Sequence, residues 1–257
     1  MRLVVIAYLT LLLVIPLGLI AYKAFGDGLG PVWSALTDAD AVHAIRVTLV
    51  VAFWTVLANT VFGLLTALLL ARATFPGKRI LNALIDLPLA VSPVVVGLAL
   101  ILVYGSNTAL GGALERHGLP IIFATPGMVL ATVFVSLPLV VRSVEPVLRE
   151  LGEEQEQAAH TLGANWWQTF RRITLPGIRW ALAFGVVLCL ARALGEYGAV
   201  AVVSGRFVGD TETLTLFVED SYQNYNQVGA YAGATLLALL AIVSLLLTKF
   251  LRPKGKN

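Results

Sequence analysis

Charge is scarce in this chain. Of its 257 residues only 13% are Asp, Glu, Lys or Arg, about half the share of a soluble globular domain. So few charged groups cannot cover a surface exposed to water, which excludes a soluble enzyme and equally a disordered or nucleic-acid-binding chain. A single cysteine, Cys189, excludes an internal disulfide framework. The three histidines, His43, His117 and His160, lie far apart with no Cys, Asp or Glu at ligand spacing, so no metal site is expected. A phosphate-binding loop, Gly-x4-Gly-Lys, is missing too. Gly77-Lys78 has Arg72 where the first glycine belongs, and Gly255-Lys256 has Phe250.

What the chain does have is apolar length. Hydrophobic residues make up 58% and the mean hydropathy is +0.85, and they come in blocks long enough to cross a bilayer, about 20 residues each. We read six spans, at about 3–25, 44–71, 80–104, 126–147, 179–203 and 229–250. They use up most of the chain and leave residues 1–257 as one transmembrane domain. The first span resembles a signal peptide but has no small-x-small cleavage site, so it is read as a retained helix.

The net charge of +3 and pI near 9.1 reflect where the cations sit. With the N-terminus inside, the cytoplasmic side carries Arg2, Arg72, Lys78, Arg79, Arg142, Arg149, Arg171, Arg172, Arg179, Lys249, Arg252, Lys254 and Lys256. The outer side carries only Lys23, Arg46, Arg116 and Arg206. This bias places both termini in the cytoplasm.

The segment 148–178 is the longest cytoplasmic loop. Glu150, Glu153, Glu154 and Glu156 crowd its start and Arg171 and Arg172 lie near its end, the order a helix dipole favours. Gly163 offers a break, and Pro176 is expected to stop a second helix just before span five. Trp166, Trp167, Phe170 and Ile173 recur at helical spacing. An amphipathic helix on the lipid surface and a docking element for a cytoplasmic partner both fit that pattern.

Here a resemblance enters. The run Gln157-Ala158-Ala159-x3-Gly163-x9-Ile173-x-Leu175-Pro176 is similar to the EAA loop of ABC-transporter permease subunits, in spacing and in its place before the penultimate span. The family's glutamate position is Gln157 here, and Glu156 stands one residue earlier. Phe75-Pro-Gly-Lys-Arg79, the stretch from Asp86 to Gly97, and Ala193-Leu-Gly-Glu-Tyr-Gly-Ala199 look like the branch of these permeases that handles sulfate, thiosulfate and molybdate. Thr213-Leu-Thr-Leu216 and the stretch Tyr225–Ala232 resemble the second membrane subunit of the sulfate permease, with molybdate as the other substrate.

The resemblance implies an all-α, six-helix membrane protein with the type I ABC importer permease fold, in a bacterial inner membrane. It implies that Glu156, Gln157, Ala158, Ala159, Gly163, Ile173, Leu175 and Pro176 couple to an ATPase. The implied partners are a second homologous permease, two ATPase subunits that bind the ATP and magnesium, and an extracytoplasmic sulfate-binding protein. This chain itself needs no cofactor and performs no covalent chemistry. A small membrane enzyme lacks a nucleophile–base pair, and a passive anion channel leaves the 148–178 loop unexplained.

For the translocation path the candidates are Ser92, Ser136, Arg192 and Glu196. Arg192 and Glu196 are four apart in span five, on one helix face; an intramembrane cation must pair or face water, and a structural ion pair and an anion contact are both open. Ser92 and Ser136 stand one and two residues before Pro93 and Pro138, where a proline can expose backbone dipoles or merely kink the helix. Asp86, Arg142 and Glu145 are read as structural pairs or a gate. On the outer side, the 26–43 loop is expected along the interface. Segment 204–228, with Asp210, Glu212, Glu219, Asp220, Tyr222 and Tyr225, reads as a solvated loop or a docking surface.

Overall fold

The computed structural model describes residues 2–251; Arg252, Lys254 and Lys256, counted above among the inner cations, lie outside the described residues. All regular elements among the described residues are helices. In chain order they are α1 (Val4–Phe25), α2 (Leu29–Thr37), α3 (Ala39–Arg72), α4 (Lys78–Ala90), α5 (Pro93–Tyr104), α6 (Ala109–Arg116), α7 (Thr125–Leu151), α8 (Glu154–Thr161), α9 (Trp166–Leu194), α10 (Val200–Val203), α11 (Leu214–Gln223) and α12 (Gln227–Leu247). Helices α1, α3, α7, α9 and α12 are long and apolar enough to cross a bilayer.

The expected third span is not one helix. Val91 and Ser92 are extended (ψ 138° and 135°), and α4 and α5 meet there at 116°. The ring of Pro93 crowds Ser92 out of the helical region while its missing N–H suits the first turn of α5. The same residue type does not break α7, which runs through both Pro138 and Pro146. There α7 is held on two sides by α3 and α9, and packing overrides the local preference.

The fifth span differs at both ends. Pro176 does not stop a helix: α9 starts at Trp166 and passes through a π turn at Phe170–Thr174 before the segment Leu175–Leu194. In that turn the amide of Leu175 reaches back to the carbonyl of Phe170. The wider turn lets Pro176 follow without a clash with the preceding turn. At its other end α9 stops at Leu194, well before the expected residue 203; Gly195 caps it and the chain turns before α10.

Helices α3, α7 and α9 form the centre of the bundle. Glycine sets their spacing: a Cβ on Gly63 would lie 2.9 Å from Val140 Cβ, and one on Gly185 would lie 3.0 Å from Ser143 Cβ. Close backbone approach of this kind replaces the hydrophobic drive that lipid removes. Ala67, Leu70, Val140, Val144, Leu148 and Ile178 fill one half of the core, and Val51, Met128, Ala131 and Val200 the other. Helix α12 packs on α9 and α11, and α1 joins at the edge through Ala24 against Ala232.

Of the two outer segments, one differs from expectation. The 26–43 stretch holds α2 and the start of α3, with Val32 buried and Trp33 exposed. Segment 204–228 is not a solvated loop. It contains α11, whose Leu214, Leu216 and Phe217 are buried against α3 and α12, leaving Tyr222 and Tyr225 exposed.

Candidate coupling groove and translocation path

The α8–α9 corner is built by local rules. Helix α8 is capped by Leu162 and followed by Gly163, whose φ of +85° is the left-handed conformation that glycine adopts at no steric cost. Asn165 then starts α9 with a capping box: its side chain accepts the amide of Gln168 at 2.9 Å, and its own amide donates to Gln168 Oε1 at 3.0 Å. The rings of Trp166 and Phe170 stack 5.6 Å apart at 8°, and both tryptophans remain more than half exposed. Between the two helices lies a shallow groove of about 330 Å³ lined by Ala159, Leu162, Gly163, Ala164, Thr169 and Ile173.

One ion pair fixes that corner to the bundle. Arg72, the last residue of α3, grips Glu156 with two hydrogen bonds of 3.0 Å, Nε to Oε2 and Nη2 to Oε1. Arg72 also donates to the carbonyl of Leu148 at 2.8 Å, and Thr174 Oγ1 donates to Glu156 Oε1 at 2.8 Å. Arg72 and Glu156 together therefore link the ends of α3 and α7 with the π turn of α9. Gln157, one residue on, is exposed, as are Ala158 and Pro176, whereas Leu175 is half-buried. Arg72 and Thr174 are functional candidates the sequence reading missed; the displaced Glu156, a carboxylate in need of a cation, is the one signal that could have led to Arg72.

Of the four path candidates, Arg192 and Glu196 are brought into direct contact. Ser136 is fully buried between helices; it accepts from Asn59 Nδ2 at 2.9 Å and donates to the carbonyl of Thr132. Ser92 is exposed at the α4–α5 break. Arg192 and Glu196 do pair, Nη2 to Oε2 at 2.9 Å, yet not on one continuous helix. Arg192 is in the last turn of α9, where the helix dipole favours a cation, and Glu196 lies beyond the cap. Glu196 is 3% exposed. Its Oε1 accepts the amide of Ala199 at 2.9 Å and its carbonyl accepts Thr215 Oγ1 at 3.0 Å. The turn around Glu196 meets the other helix break, since a Cβ on Gly198 would sit 3.0 Å from Pro93 Cβ.

At the end of the bundle that carries Arg72, Arg142 binds both oxygens of Asp86, at 2.7 and 2.6 Å. It also binds Glu145 at 2.7 Å, and Arg149 shares Glu145 at 2.7 Å. The charges read from sequence as pairs or a gate thus form one connected network.

Residues 59–256 match the family described as "binding-protein-dependent transport system inner membrane component". The chain belongs to this family. It is 50% identical over 246 residues to the sulfate transport system permease protein CysW of Escherichia coli K12, covering 96% of this chain and 84% of the relative. To CysW of Synechocystis it is 49% identical over 247 residues, 96% and 90% of the two chains. It is also 37% identical over 238 residues to the E. coli permease protein CysT, 93% and 86% of the two. Among solved structures, a chain of the bacterial ABC transporter that imports alginate superposes with a TM-score of 0.77 at 18% identity, covering 98% of this chain and 92% of that one. That likeness establishes the fold, the ABC importer permease fold expected from the sequence; it is also seen in the alginate transporter complexed with its periplasmic protein.

Proposed function

We propose that this chain is a membrane subunit of an ATP-driven importer of sulfate or thiosulfate, and that it forms half of a path shared with a second, homologous permease. The observation that carries the reading is the identity of about half the residues with CysW along nearly the whole chain. The α8–α9 groove receives a cytoplasmic ATPase subunit, one for each permease, which binds and hydrolyses the ATP. In this reading Gly163, Ala158, Ala159 and Ile173 make the docking contact, and Glu156, through Arg72, holds the docked corner on α3 and α7. Both termini then lie in the cytoplasm, and the α2 and α11 side faces a substrate-binding protein.

In this reading, closure of the ATPase pair pushes the α8–α9 corner. Because α9 is continuous from Trp166 to Leu194, the push reaches the Arg192–Glu196 turn and the α4–α5 break packed against it. Radiolabelled sulfate uptake in cells without their own sulfate permease tests the proposal, with this chain co-expressed with its neighbouring transport genes. Uptake blocked by excess thiosulfate and not by molybdate is the expected result. Molybdate uptake in place of sulfate uptake moves the substrate assignment, and uptake that persists without the ATPase subunit overturns the transporter reading.

A further inference from the structure

Four cations face one cavity at the Arg72 end of the bundle. The space, about 740 Å³, lies between the start of α4 and the end of α7, and its lining includes Lys78, Arg79, Asn82, Arg142, Glu145 and Arg149. Only two carboxylates answer them: Asp86 on Arg142, and Glu145 shared by Arg142 and Arg149. Lys78 donates to the backbone carbonyl of Ala73 at 2.8 Å, a neutral partner. Arg79 is exposed and forms no ion pair among the described residues.

Their position adds to the imbalance. Lys78 and Arg79 open α4, whose first turn has no acidic residue. A helix start carries about half a positive charge, so both cations are repelled by their own helix. The positive-inside rule accounts for cations at this end of the chain; it does not account for four of them turned onto one hollow with two carboxylates. A negative group inside would relieve the excess and accept charge-assisted hydrogen bonds from Lys78, Arg79 and Arg149.

We propose that this cavity binds a tetrahedral oxyanion, supplied either as a free anion or as the phosphate of an anionic lipid headgroup. The site rests on the orientation proposed above, which puts the cavity at the cytoplasmic mouth, where released cargo and inner-leaflet headgroups both arrive. The volume exceeds that of one bare oxyanion many times over, given about 30 Å³ for each water, and so accepts a hydrated anion or a headgroup with its glycerol.

The test uses the assembled importer in nanodiscs without its binding protein, and its thermal unfolding midpoint as readout. Inorganic sulfate and inorganic phosphate are titrated in phosphatidylcholine discs, and phosphatidylglycerol discs form a separate arm. Protection by either free anion identifies that source, and protection by phosphatidylglycerol alone identifies the headgroup. In each case K78A/R79A is expected to weaken the apparent affinity at least about tenfold, and R116A, which removes a positive charge elsewhere, is expected to leave it unaltered. R79Q replaces the double variant if that one does not assemble. No protection of the wild type by any probe, or equal protection of the variant, overturns the site. Sulfate uptake by the wild-type complex is scored separately: protection without uptake sinks the import reading, and uptake without protection sinks the cavity.

Discussion

Arg72 and Glu156 face each other through two parallel hydrogen bonds of 3.0 Å across 84 residues of sequence. Each side chain is about one-fifth exposed, and the fork-to-fork geometry is the one in which a guanidinium binds a carboxylate best. A lysine in place of Arg72 could hold Glu156 or the Leu148 carbonyl, but not both with this orientation.

The first prediction follows from that pair. Glu156→Gln and Arg72→Ala should each lower sulfate uptake per assembled complex about tenfold or more while ATP hydrolysis persists. The swap Arg72→Glu with Glu156→Arg should recover part of the loss. Parallel uptake and ATPase assays on reconstituted complexes decide it. Equal uptake in all variants would show that the pair only stabilises the fold.

Gly163 gives a second. At φ +85° an alanine costs roughly 1 kcal/mol or more in backbone strain, and a proline, fixed near −65°, cannot adopt the turn. Gly163→Ala should reduce coupling modestly, and Gly163→Pro should abolish ATP-dependent uptake without lowering the amount of chain in the membrane. Immunoblot and uptake on the same cells check both statements.

The third concerns Arg192 and Glu196. Removal of the arginine leaves a carboxylate whose side chain is 1% exposed without its cation, a change that destabilises by about 3 kcal/mol or more when fully buried. Arg192→Ala alone should therefore lower the yield of assembled complex. Arg192→Ala with Glu196→Gln should restore assembly, and uptake by that double variant then isolates any role of the arginine in the path. Full uptake by the double variant would reduce Arg192 to a structural partner.

A fourth tests the bundle spacing. Gly63→Val places methyl groups where Val140 already stands 2.9 Å from a Cβ, and overpacking of this kind costs about 1–3 kcal/mol. The thermal midpoint of the purified complex should fall, and Gly63→Val paired with Val140→Gly should recover part of it.

The fifth is a pH dependence. Glu212 is buried in the turn before α11. Burial first, then the nearby charges of Asp220 on α11 and Asp40 on α3, push its carboxyl up to about 7, with His43 acting the other way. The folded state holds that proton more tightly than the unfolded chain, so the associated stability is complete below the ordinary carboxylate range and is lost as pH rises through about 7. Wild-type thermal midpoints should drop over that window, and Glu212→Gln should flatten the slope. An unchanged slope in the variant would assign the effect to other groups.

Much of this architecture was legible in the sequence because a bilayer demands long apolar helices, and α3, α7 and α12 are such helices. The failures share a cause. Helix α7 buries the polar Thr132, Ser136 and Glu145 along with its apolar residues, so an apolar pattern could not tell which face meets a neighbour, and the partner of Ser136, Asn59, had no local signal. Pro93 and Pro138 read alike, yet only Pro93 breaks a helix, because α7 is clamped by helices on two sides. Arg72 was one inner cation among many, and no local signal links it to Glu156. Gly163, by contrast, acts through its own φ, and for that reason its turn was readable from the residue alone.

The π turn at Phe170–Thr174 carries one residue more than a regular turn of helix. One residue is about 100° of rotation around the helix axis. The angular relation between Trp166 and the buried side of α9 is therefore set by a single amino acid of chain length. Deletion of one residue there would straighten the helix and swing the α8–α9 groove about a quarter-turn away from the direction in which it now points. The joint works as an indexing device: it lets a helix that must bury Ile178 and Cys189 on one bearing present its tryptophans on another.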